Sequence, residues 1–253
     1  MTGNPDLLVV TAAERSLIGA RETNEDRVRI ARQGAVWCLV VSDGAGGHAG
    51  GAIAAQTTVD RIVDGFAARP PTDREDLAEL LLDAHDGVLA AQRAAHGGER
   101  QMHATVVVLL IDPAGRTALW GHVGDSRLYL LRKGRLCCVT RDDSVVQLMV
   151  ESGYLDPATA ESHPQKNRLL AALGTDAEIE PRIDSAPWPV DDGDAFLLCT
   201  DGWWDALGHA EIEATLARAT SVDDWIDAMA SQVASGAKAE QDNYSAIACW
   251  IGA

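Results

Sequence analysis

The chain has 253 residues, 47% of them hydrophobic, and its 21 Lys plus Arg against 38 Asp plus Glu give a formal charge of −17. That length and apolar content suit one domain with a substantial core, while the acidic balance excludes a nucleic-acid backbone as the main partner, because phosphates demand a basic footprint. No apolar run approaches a membrane span, the polar residues 1–6 lack a signal-peptide pattern, and the five cysteines show no C-x-x-C spacing, so reduced thiols in a cytoplasmic protein are expected.

Along the chain, short runs rich in β-branched and aliphatic residues predict strands. The first two cover residues 7–12 and Val36–Ser42. Ala55, Val59, Ile62, Val63 and Phe66 then share one helical face, and Leu77, Leu80, Leu81, Ala84 and Val88 share another. The break Arg69-Pro70-Pro71-Thr72 separates them, with Thr72 or Asp73 as candidate cap. Further strands are predicted at residues 104–111, Thr117–Val123, 128–131 and 136–140. Asp112-Pro113-Ala114-Gly115 and Arg132-Lys133-Gly134 are too short for parallel crossovers, so each predicts an antiparallel hairpin. Ala195–Cys199 and Tyr244–Ile251 complete the strands, and Val222, Trp225, Ile226, Met229 and Val233 form a third apolar helical stripe. Antiparallel sheet with segregated helices predicts an α+β fold, layered so that the sheets lie inside and the helices outside.

Five segments set acidic residues beside apolar strands or glycine turns. They are Arg21-Glu22-Thr23-Asn24-Glu25-Asp26; Ser42-Asp43-Gly44-Ala45-Gly46-Gly47-His48; Gly124-Asp125-Ser126-Arg127; Thr200-Asp201-Gly202; and Gln241-Asp242-Asn243. Asp43-Gly44 and Asp201-Gly202 each follow an apolar strand. A strand end mounts a carboxylate rigidly, and glycine lets backbone or ligand come close. Hard cations such as Mg²⁺ or Mn²⁺ take oxygen ligands of this kind, and one carboxylate can bridge two ions roughly 3.5–4 Å apart in a two-metal hydrolase. Any one Asp-Gly is ordinary turn sequence. The joint occurrence of five such segments is what points to a metal centre.

These segments, in this order, resemble the PP2C-type (PPM) metal-dependent serine/threonine phosphatases, and among them the small single-domain bacterial members. The resemblance runs from about Leu17 to the C-terminus. It implies a four-layer αββα sandwich of two antiparallel sheets flanked by helices, formed by residues 1–253 as a single domain, with a variable flap at about 144–166. It implies an enzyme that hydrolyses phosphoserine and phosphothreonine in proteins by direct attack of a metal-bridging hydroxide. The cofactors it implies are Mn²⁺ or Mg²⁺, two ions in a core site and a third beside it.

Residue by residue, the resemblance makes Asp43 the bridging ligand, with the Gly44 carbonyl on one ion. Asp201 and Asp242 complete the shell of the second. Glu25 and Asp26 stand near the pair, Asp125 holds the third ion, and Arg21 grips the substrate phosphate. His48 and Asn243 are auxiliary candidates. Two positions depart from the pattern: Ala45 stands where many eukaryotic members carry His, and Asp143 stands where bacterial relatives often have a flap histidine. The implied partner is a phosphorylated protein, a Hanks-type serine/threonine kinase or its target, with type VI secretion control among the settings and a monomer as the default state. Two other readings compete: a catalytically weak phosphoprotein-binding relative, and a hydrolase of small phosphate esters. The acids Asp43, Asp201 and Asp242, all present, favour turnover. Trp203 and Trp204 read as core aromatics.

Overall fold

The computed structural model describes residues 8–46, 49–95, 101–160, 163–236 and 240–252. In chain order, β1 (Val10–Leu17), β2 (Arg27–Gln33), β3 (Val36–Ser42) and the short β4 (Gly44–Ala45) lead into two long helices, α1 (Ala49–Ala68) and α2 (Arg74–Ala94). Then come β5 (His103–Ala104), β6 (Val106–Asp112), β7 (Thr117–Val123), β8 (Arg127–Arg132) and β9 (Arg135–Val139). An excursion carrying α3 (Val145–Glu151) and α4 (Pro157–Ala160) precedes β10 (Arg182–Ile183), β11 (Trp188–Pro189) and β12 (Ala195–Cys199). The chain ends with α5 (Asp201–Trp204), α6 (His209–Leu216), α7 (Val222–Ser235) and β13 (Tyr244–Ile251).

Two sheets form. One has the order β1-β13-β12-β8-β9; the other runs β10-β7-β6-β3-β2, with β11 also pairing β7. The pairs within both are antiparallel. Both expected hairpins are present, β6–β7 and β8–β9, and the second turns through Lys133 and Gly134, both at positive φ.

Three apolar layers explain why these segments stack. Leu39, Val41, Val107, Leu109, Leu128, Phe196 and Ile247 fill the space between the sheets. Val59, Ile62, Phe66, Leu77, Leu81 and Val88 seat α1 and α2 on Cys38, Val40, Val106 and Val108. Trp225, Ile226, Met229 and Val233 seat α7 on Tyr129, Leu197 and Ala246. Successive residues of β3 therefore face different layers, which is why that strand is apolar without alternation. Each such large side chain contributes on the order of 1.5–3 kcal/mol by leaving water. The four layers are helix, sheet, sheet, helix, as the resemblance implied.

Local differences have physical causes. The first strand is Val10–Leu17 rather than residues 7–12, because all eight of its residues pair with β13, polar ones included; Leu7 lies outside the described residues. The alternating arginines of β2 mask in the sequence a strand that pairs with β3 throughout. The predicted run 104–111 divides into β5 and β6 around Thr105. Asp73, not Thr72, caps α2, accepting from Asp76 N at 2.9 Å. None of the described helices is long and apolar enough to cross a membrane.

Candidate active site

Strand ends from both sheets meet at one end of the sandwich. β3 delivers Asp43, β12 delivers Asp201 as the first residue of α5, and the turn before β8 delivers Asp125. The loop between β1 and β2 brings Arg21, Glu25 and Asp26, and the approach to β13 brings Asp242 and Asn243. Arg21, Glu25, Asp43, Gly44, Asp125, Asp201, Asp242 and Asn243 all line one cleft of about 620 Å³. Asp26 lies behind it, 2% exposed. His48 falls outside the described residues. The tertiary structure thus gathers acids that stand up to 217 positions apart in sequence (25 to 242).

Hydrogen bonds fix this arrangement from beneath. Thr105 ties the two sheets' loops together. Its N–H donates to the Asp43 carbonyl at 2.8 Å, its Oγ1 accepts from Asp43 N at 3.1 Å, and the same hydroxyl lies 2.7 Å from Ser126 Oγ. Asn243 clamps the Arg21–Asp26 loop. Its Oδ1 accepts from Glu25 N at 2.8 Å, and its Nδ2 donates to the carbonyls of Ile18 and Thr23 at 2.8 and 3.0 Å. Thr200 Oγ1 donates to Asp26 at 3.0 Å. Gly44 is required for space, since a Cβ there would collide with the Gly51 and Glu25 carbonyl oxygens. Gly124, at φ +96, bends the chain into the Asp125 turn.

The electrostatics follow from crowding. Burial, reinforced by Asp26, Asp201, Asp125 and Asp242, pushes the Asp43 carboxyl well above its usual range. Burial and then Asp201 do the same to Asp125. Asp26 is raised to about 7, by burial and then by Asp201 and Asp242. Asp201 is raised to about 6, by burial and then by Asp242. Acids that repel one another in a desolvated cleft favour any compensating cation. Arg21 supplies part of this at the rim, where Nη2 donates to Asp242 Oδ2 at 2.6 Å. The donor set is all oxygen, five aspartates, one glutamate and a glycine carbonyl, which fits hard divalent ions. Among the described residues no three acid, His or Cys side chains already stand at ligand spacing about one point. The acids face a common cleft.

Several residues at the site hold positions that the sequence alone does not assign to them. Thr105 matters only because β5 and β6 flank it. Arg127 grips Asp142 with two bonds of 2.8 Å and stacks 3.6 Å over the Trp204 ring, whose Nε1 donates to the Asp125 carbonyl at 2.9 Å. Trp204 therefore braces the Asp125 turn, whereas Trp203 is fully buried in the core as expected. Asn167 and Leu169, on the excursion, overhang the cleft. Asp143 points away from it: buried, it accepts from Gly124 N at 3.1 Å and pairs with Arg182.

A family model described as protein phosphatase 2C matches residues 14–243. The serine/threonine protein phosphatase PstP of Mycobacterium tuberculosis is 34% identical over 206 residues, 81% of this chain but 38% of the relative, so the chain spans well under half the length of that protein. The protein phosphatase PhpP of Streptococcus pneumoniae is 31% identical, with 76% of this chain and 78% of the relative covered. Among solved structures, the catalytic domain of PstP in complex with two manganese ions superposes with a TM-score of 0.80 at 27% identity, covering 97% of this chain and 100% of that one. PppA of Pseudomonas aeruginosa, described as a key regulatory component of its type VI secretion system, superposes at 0.76 and 26% identity, covering 96% and 97%.

Proposed function

We propose, from the premise that this chain belongs to the protein phosphatase 2C family, that it removes phosphate from phosphoserine and phosphothreonine in proteins using two divalent cations, Mn²⁺ or Mg²⁺. The observation that carries this reading is the convergence of Asp43, Asp125, Asp201 and Asp242 with Gly44 on one cleft, with Arg21 at its rim. When bound there, the cations supply Lewis-acid activation of water and neutralise developing charge on the phosphoryl group.

The chain's own residues do the rest. Asp43 and Asp201, fixed at strand ends, present carboxylate oxygens to the core pair, and Asp242 completes it. Asp125 serves a third position. Glu25 and Asp26 hold the surrounding shell, Asp26 through its bond to Thr200. Asn243 sets the loop that carries Arg21 and Glu25. Arg21 binds and orients the substrate phosphate; its guanidinium, already at the cleft edge, exchanges an exposed carboxylate for phosphate oxygens. No residue needs to become covalently phosphorylated in this scheme.

Residues 1–253 act as one domain, with 144–166 as its flap. The bridge between Ser144 and Leu169 and the Val145 N to Arg168 O bond of 2.9 Å close that segment at its base. The substrate is a phosphorylated protein, a kinase or its target, met in the cytoplasm by a monomer. The five unpaired cysteines support that compartment. PppA makes type VI secretion one setting to examine. The test is phosphate release from a phosphothreonine peptide with Mn²⁺ and then with excess EDTA. Release that requires the cation is expected; folded protein inert with every divalent cation would overturn the reading.

A further inference from the structure

Asp125 stands on residues 124–126, the connection that passes from β7 in one sheet to β8 in the other. The ladder of β7 ends at Val123 and that of β8 begins at Arg127, so the backbone groups between them must be held from outside. Each of the three residues has its own holder. The Asp143 N–H donates to the Gly124 carbonyl at 2.9 Å, and Asp143 Oδ2 accepts from Gly124 N at 3.1 Å. Ser126 Oγ lies 2.7 Å from Thr105 Oγ1. The Asp125 carbonyl accepts from the Trp204 indole Nε1 at 2.9 Å.

Trp204 is itself held on two sides. The Arg127 guanidinium lies 3.6 Å from its ring centroid, and two bonds of 2.8 Å fix that guanidinium to buried Asp142. Its backbone ends α5, whose first residue is Asp201. The Trp204 N–H reaches back to the Thr200 carbonyl at 3.3 Å, and Thr200 N donates to the Ser245 carbonyl on β13 at 3.0 Å. One short element therefore carries Asp201 at one end and, at the other, the side chain that holds the Asp125 turn.

We propose that Trp204 is a positioning residue for a divalent cation at Asp125, acting through its indole N–H, and that it sets the Asp125 position relative to Asp201. The proposal rests on the reading of Asp125 as a third cation position and adds to it a residue that touches no cation. An acid on a turn outside any ladder must be ordered each time an ion binds; a turn already bonded to α5 is spared that cost. The ring and its N–H have separable roles: Arg127 stacks on the face, and the edge donor reaches Asp125.

The probe is Mn²⁺ alone, titrated calorimetrically into the full chain after metal is removed with EDTA and EDTA by dialysis. The native chain should take up two ions tightly and a third more weakly. Trp204→Phe keeps a ring for Arg127 and loses the donor, at a position only partly buried. It should weaken the third ion roughly tenfold or more, the range for an outer-shell partner of a ligand, and leave the tight pair unchanged. Asp125→Ala should abolish the third ion, and Trp204→Phe added to it should alter the tight pair no further. Equal third-ion affinity in the native and Trp204→Phe chains would overturn the proposal. So would equal weakening of every ion, which marks a purely structural indole, or a third ion that survives Asp125→Ala. Independently of any variant, one of the seven indole N–H signals seen by NMR should shift over the Mg²⁺ range that fills the third position, and seven unmoved signals would refute the link. These readouts need no turnover. A native chain that binds two ions and no third would sink this proposal and leave the two-cation phosphatase standing. Three ions bound as expected, with no phosphopeptide hydrolysed, would sink only the phosphatase reading.

Discussion

Asp125 and Asp194 are buried alike, 4% and 1% exposed, yet the protein treats them in opposite ways. Asp194 sits at the start of β12, far from the cleft, and receives Arg132 through bonds of 2.9 and 2.7 Å, together with the Asp191 N–H at 2.9 Å. Asp142 is matched by Arg127 in the same bidentate manner. In the cleft, Asp43, Asp125 and Asp201 face chiefly one another, and Arg21 pairs with Asp242. Burial alone therefore does not mark function. A buried acid with its own arginine holds the fold; a group of crowded, desolvated acids left to each other implies that a cation completes it.

The sharpest way to break this contrast is to remove one acid on the cleft side. Asp43→Asn or Asp201→Asn should lower kcat/KM by roughly 10³-fold or more, about 4 kcal/mol of transition-state stabilisation. Melting in EDTA should be unchanged or higher, because repulsion is relieved. Near-native turnover by either variant contradicts the assignment. The opposite side should fail in the opposite currency. Arg132→Met strands Asp194 without its cation and should cost about 3 kcal/mol of stability, roughly 10 °C in Tm at this chain length, while kcat stays within twofold. A large loss of activity at full stability would erase the distinction.

Acidity gives a subtler test. Asp26 and Asp201 titrate near 7 and 6 in the folded chain, against about 4 when unfolded. Between those values the folded state binds the more protons, so stability falls as pH rises from about 4 to 7. In EDTA the Tm should decline across that window, and saturating Mn²⁺ should flatten it by holding the ionised acids. A chelated protein whose Tm rises over the same range would show that the cleft acids are not the desolvated groups described. The smallest effect belongs to Arg21. Being exposed, Arg21→Ala should raise KM for a phosphopeptide about tenfold, the value of one charged hydrogen-bonded contact, and leave Tm in place. A change confined to kcat would refute a ground-state phosphate contact.

What the sequence determined by itself was the set of acids at strand ends and the layering. Apolar stripes at helical spacing located α1, α2 and α7, and runs rich in aliphatic and β-branched residues located β3, β6, β7, β12 and β13, because burial on the scale of a whole element imprints a pattern on the chain. Acids placed after such strands and beside glycines made the cleft legible before any coordinates. The three-dimensional structure decided what depends on partners distant in the chain. β1 shifts toward polar residues because β13 pairs with them. Thr105 becomes the tie between Asp43 and Ser126, Trp204 the brace of Asp125, and Asp143 the partner of Arg182, away from the cleft. Hydrogen bonds and ion pairs of this kind join single atoms across tens of residues; they leave no periodic trace, and only packing brings the two ends together.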